Sequence, residues 1–111
     1  MNNELVTEAE IEKALDFLRD NARDIGQAKA LAIKTERMTK HIRALEMKRY
    51  CELPVSAQER EALASDAYLK AANAEAEAAG AFEQMKALRE AAALKIEVWR
   101  SMGANYRAMK L

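Results

Sequence analysis

Proline occurs once in this 111-residue chain, glycine three times, cysteine once and histidine once, and 5% of the residues are aromatic. With Pro54 as the sole proline, long stretches on either side contain no residue that must break a helix. Three glycines offer few sites for left-handed turns, and no run rich in Val, Ile or Thr reads as a strand. One cysteine, Cys51, cannot form an intrachain disulfide. Around His41 no cluster of Cys, His and carboxylates has metal-ligand spacing. No uncharged run approaches the roughly 18 residues of a membrane span. Met1-Asn2-Asn3-Glu4 supplies neither a basic nor an apolar leader region, so no signal peptide is expected. The formal net charge is zero, which argues against a globally basic nucleic-acid binder. Together these absences predict a soluble, cytoplasmic, all-α protein with no metal and no cofactor.

What the chain has instead is alanine, 24 residues of it, interspersed with Glu, Lys, Leu and Met. These types lose little conformational entropy in a helix. Large apolar side chains are few, so one chain can bury only a thin seam. Long helices with thin seams complete their burial by oligomerising, and a homo-oligomer is expected.

The stretch from Ser56 to Met102 dominates. Ser56-Ala57-Gln58-Glu59 reads as an S-x-x-E capping box just after Pro54, and Gly80 is the only glycine between Ser56 and Met102. One helix over 57–102 would be a rod of roughly 70 Å, which needs a partner of similar length. Thr7-Glu8-Ala9-Glu10 is a second capping box, with acids in the first turn. Ile11, Ala14, Leu15, Leu18, Ala22 and Ile25 follow at steps of three and four, an amphipathic helix. Gly26, beside the weak helix formers Asn21 and Asp24, is a weak point. Continuity through it is expected, giving a first arm over 7–51, and a break there would give three helices. A turn at 52–56 joins the arms. Gly103 ends or bends the second arm, leaving 103–111 as a basic tail. The fold class is therefore an all-α, coiled-coil-like antiparallel hairpin of long helices.

Charge supports that register, in which paired positions sum to about 108. Residues 1–26 carry seven acids against three bases, and residues 27–50 seven bases against two acids. Residues 51–90 carry eight acids against four bases, and residues 91–111 four bases against one acid. Folded back, each acidic block faces a basic one, and Phe82 falls near Gly26. The small residues of Ala71–Ala81 let two backbones approach closely. Beyond them Met85, Leu88, Ala92, Trp99, Met102, Tyr106 and Met109 form a heptad-like seam, with Ile96 standing in for Lys95.

No residue set reads as catalytic. His41 has no Ser or Cys nucleophile on its face and reads as a solvated or interface histidine. Cys51 reads as a packing cysteine at a helix end. Glu59/Glu61 and Glu75/Glu77 lie two apart and do not face each other. The protein is expected not to be an enzyme.

Two basic features point elsewhere. Lys34, Arg37, Lys40 and Arg43, with Lys29, Lys48 and Arg49 around them, can track phosphates, or can be neutralised by the acidic arm or simply solvated. At the end of the chain Trp99-Arg100 is followed seven residues later by Tyr106-Arg107, and then by Lys110. Two turns separate the pairs, so both aromatics share one face and both arginines the face beside it. Aromatics that stack on bases, next to arginines that meet phosphates, hold single strands without sequence preference. The same residues also suit the seam and rim of an oligomer.

Residues 60–111 resemble small helical phage-encoded proteins, and loosely the phage recombination mediators (UvsY-like). The likeness is carried by Ala87-Leu88-Arg89, by Leu94-Lys95-Ile96-Glu97-Val98-Trp99-Arg100-Ser101 and by Asn105-Tyr106-Arg107. It implies an oligomer that binds single-stranded DNA and helps load a RecA-type recombinase onto strands coated by single-strand-binding protein. Recombination and replication proteins would then be partners. A structural or adaptor coiled-coil module, or a small phage inhibitor, binding only protein, is the alternative.

Overall fold

The computed structural model describes residues 6–110, and side chains through Met109. Among these residues 89% are helical, in four helices with no strand, and the fold is an all-α hairpin of long helices. The elements are α1 (Glu8–Asp20), α2 (Ala22–Lys48), α3 (Val55–Leu63) and α4 (Asp66–Lys110). None is long and apolar enough to cross a membrane.

The chain divides into two compact units. The first joins the N-terminal residues through Ile25 with Gln84 onward. In it α1 starts as expected: the Thr7 hydroxyl accepts from the Glu10 N–H at 3.2 Å, with Glu8 and Glu10 in the first turn. Val6, Ile11, Ala14, Ile25 and Ala92 are buried, so this seam contains branched aliphatics. On the facing side of α4, Ile96 is half-buried and Lys95 exposed, the substitution the spacing anticipated.

The interruption in the first arm is at Asn21 rather than Gly26. Both the backbone N–H and Nδ2 of Asn21 donate to the Phe17 carbonyl, at 2.9 and 3.1 Å. A side chain that competes for a helix carbonyl is why Asn favours helix ends. Gly26 lies inside α2 with no positive φ, and no atom comes within 4 Å of where its Cβ would sit, Phe82 included.

The second unit spans Gly26–Glu83. Its seam is small and polar. Ala62 is fully buried, and Ala78, Thr39 and Glu46 are nearly so. Thr39 Oγ lies 2.9 Å from the Thr35 carbonyl and 3.3 Å from that of Ala71 on α4. Only closely approaching backbones allow this contact, and the pair lies close to the anticipated register.

The second arm differs most from expectation. The helix after the turn begins at Val55 with Pro54 as its cap and no side-chain capping bond, so Ser56 sits inside the first turn. Gln58 ties the turn instead, its Nε2 donating to the Leu53 carbonyl at 2.8 Å without capping a helix N–H. A break at Ala64–Ser65 then separates α3 from α4 where one continuous rod was anticipated. Ser65 builds it: its hydroxyl donates to the Ala62 carbonyl at 2.7 Å and accepts from the Tyr68 N–H at 3.1 Å. This is the N-cap arrangement. At the far end α4 continues through Gly103 to Lys110, so the anticipated tail is helix. Cys51 is exposed rather than packed.

Candidate nucleic-acid interface

The four α2 candidates do not share a face. Each step of three residues advances about 300° around a helix, so Lys34 and Arg43 end about 180° apart. The structure sorts them into two pairs. Lys34 and Arg37 are exposed and line an open groove of about 570 Å³ with Ala30, Ile33, Met38 and His41. Neither takes part in an ion pair among the described residues. Lys40 and Arg43 lie on the other side, in a groove shared with Glu36, Tyr68 and Glu75. Lys40 Nζ is 3.8 Å from Glu36, and Arg43 is paired with Glu59 of α3. Arg43 Nε is buried without a hydrogen-bond partner. The Arg43 and Glu59 side chains remain 41% and 43% exposed, so this pair ties α2 to α3 by no more than about 1 kcal/mol. Lys40 and Arg43 therefore face carboxylates already, and Lys34 and Arg37 are the cations left open to a phosphate. His41, expected from the sequence to be a solvated or interface histidine, lines the same groove as Lys34 and Arg37. Its seven-residue spacing from Lys34 was the signal for that.

The C-terminal candidates come together as the spacing anticipated. Trp99, Arg100, Tyr106 and Arg107 stand on adjoining strips of α4, all exposed, with Trp99 at 42% and Tyr106 at 60%. Arg100 Nη1 donates to Glu97 at 3.0 Å, an i, i+3 pair open to solvent on both sides, and such a pair yields readily to a phosphate. Arg107, Arg100 and Trp99 line a groove of about 420 Å³ with Glu97, Ser101, Gly103 and Ala104. The side chain of Lys110 lies outside the described ones. The sequence marked Gly103 only as a helix end or bend, and its place among these side chains was missed. The two candidate sets fall in different units, and each stands as its own surface.

Among the described residues no group of three His, Cys, Asp or Glu is placed to hold a metal ion. The Arg19 guanidinium is raised above its ordinary pKa by its hydrogen bond to Asp20 and the charges of Asp20 and Asp16, a surface cluster with no nucleophile. Compared with known proteins, the chain matches no family model, no curated protein and no solved structure.

Proposed function

We propose that the protein is a non-enzymatic accessory factor for single-stranded DNA, working as a homo-oligomer in phage recombination or replication. The observation that carries this reading is the joint exposure of Trp99, Arg100, Tyr106 and Arg107 on one side of α4. Exposed rings offer base stacking, and arginines beside them offer phosphate contacts. Lys34 and Arg37 add cations not engaged by carboxylates. On this reading the partners would be those that the loose sequence resemblance implies, a RecA-type recombinase and single-strand-binding protein.

The test is fluorescence anisotropy of a labelled single-stranded oligonucleotide, titrated at low and moderate salt. Wild-type affinity should fall steeply with salt. Arg100→Ala with Arg107→Ala should weaken binding and flatten the logarithmic salt slope by about 1.4, for two lost phosphate contacts, with unchanged helix content by circular dichroism. Absence of binding at low salt would sink the proposal.

A second reading is an adaptor that binds only protein. It is favoured by Leu31, Met38 and Leu45, seven residues apart on α2 and each 45–51% exposed. An apolar strip of this kind suits another helix.

A further inference from the structure

Gly103 occupies a particular place in the α4 surface. On a helix the nearest surface neighbours of a residue are those three and four positions away on each side. For Gly103 these are Trp99, Arg100, Tyr106 and Arg107, the two aromatics and two arginines of the candidate interface. The residue without a side chain therefore lies between the aromatic strip and the arginine strip, under a notch, the groove lined by Trp99, Arg100 and Arg107 with the Glu97 carboxylate at its edge. Gly103 does not need its glycine for backbone reasons, since its φ is ordinary. Nor is it forced by crowding: a Cβ there would meet only the Arg107 guanidinium, Nη1 at 3.8 Å, an ordinary contact. A glycine in mid-helix costs stability relative to alanine, and here neither conformation nor space within the chain compensates for it.

The dimensions suggest what the notch accepts. Trp99 and Tyr106 are seven residues apart, a rise of about 10.5 Å along the helix. Stacked bases are spaced about 3.4 Å, so three stacking intervals span the gap, with two bases between the two rings. Any side chain at 103 would project into that gap. The Arg107 guanidinium lies over the notch and can stack on an entering base, while Arg100 stands on the same edge, where the backbone phosphates would run.

We propose that the Gly103 notch is a base seat, taking two stacked bases of a single strand between Trp99 and Tyr106 with Arg100 and Arg107 on the phosphate edge. The proposal rests on the single-stranded DNA reading above and assigns its contact point.

Trp99 is the only tryptophan in the chain, so its fluorescence reports the seat directly. Wild type should show quenching by oligothymidylate at low salt and none by an abasic oligonucleotide of the same length. Gly103→Leu keeps every charge and ring and replaces a poor helix former with a good one. It should weaken oligothymidylate binding roughly ten- to a hundredfold, abolish the quenching and leave the salt slope unchanged. Gly103→Ala, which fits the helix without displacing any neighbour, should give a smaller loss of the same kind. Wild-type affinity and quenching retained in both variants would overturn the seat while leaving the DNA reading intact. Unchanged quenching together with a lower oligomer mass in Gly103→Leu would also overturn it, because the notch would then receive a side chain of a second copy. If the wild type binds no oligonucleotide at all, the proposed function fails first, and the seat with it.

Discussion

The two units solve the same problem, joining long helices with few large side chains, in opposite ways. In the first, the N-terminal residues through Ile25 are acidic, seven acids against three bases, and the residues from Gln84 onward basic, six bases against two acids. In the second the polarity is reversed. Residues 26–50 carry seven bases against two acids, and residues 51–83 carry seven acids against two bases. Each unit is thus neutral by itself, from net charges of 4 and 5 on its opposing segments. Among the described residues one contact turns this balance into an ion pair between helices, Arg43 with Glu59. The rest acts at longer range, where it biases which segments associate more than how tightly they hold.

The seams differ as well. The first unit buries Val6, Ile11 and Ile25, and the second Ala62, Ala78, Thr39 and Glu46. Small residues bring the helices of the second unit close, as the Thr39–Ala71 contact shows. That leaves Leu31, Met38 and Leu45 outside the seam. The small-residue seam of the second unit leaves this strip on the surface, where another helix can bind.

The largest expected effect tests the first unit's dependence on aliphatic burial. Ile11→Ala should destabilise by about 2–4 kcal/mol, read from the shift of the urea unfolding midpoint. A change below about 1 kcal/mol would remove the contrast between the seams. A second measurement addresses the exposed strip. Met38→Gln with Leu45→Gln should lower the mass seen by sedimentation equilibrium, since two apolar anchors of the strip are lost, each worth about 1.5–3 kcal/mol when buried by a second copy. An unchanged mass would show that the strip is not the self-association surface. The smallest effect concerns the α3–α4 joint of the second unit. Ser65→Ala removes the cap of α4 and should cost about 1 kcal/mol, with hydrogen exchange accelerated first near Asp66–Leu69. Uniform loss of protection along α4 would mean that the joint has no stability of its own.

Much of this was legible in local residue chemistry. Thr7 and its acidic first turn were recognisable because a cap is decided by residues three apart. The Trp99/Arg100 and Tyr106/Arg107 face was recognisable because seven residues return to the same side of any α-helix. The α2 cations were less so: their clustering in sequence suggested one stripe, and the 300° step distributes them around the helix. The Ser65 joint was missed because Leu63, Ala64 and Ala67 around it are good helix formers, and composition masked the one hydroxyl that stops the run. The reverse error occurred at Ser56, whose S-x-x-E pattern was outcompeted by Pro54, a residue pre-set for a helix start, with Gln58 satisfying the turn.

The sequence by itself determined that the chain is helical, that its segments alternate in charge and that two aromatic–arginine pairs share a face. Each of these depends only on helical periodicity and residue type. Tertiary structure alone decided which apolar residues were left outside and that Arg43 meets Glu59 of α3. Those outcomes depend on how closely two backbones approach, and such distances of a few ångströms are fixed only when the helices have packed.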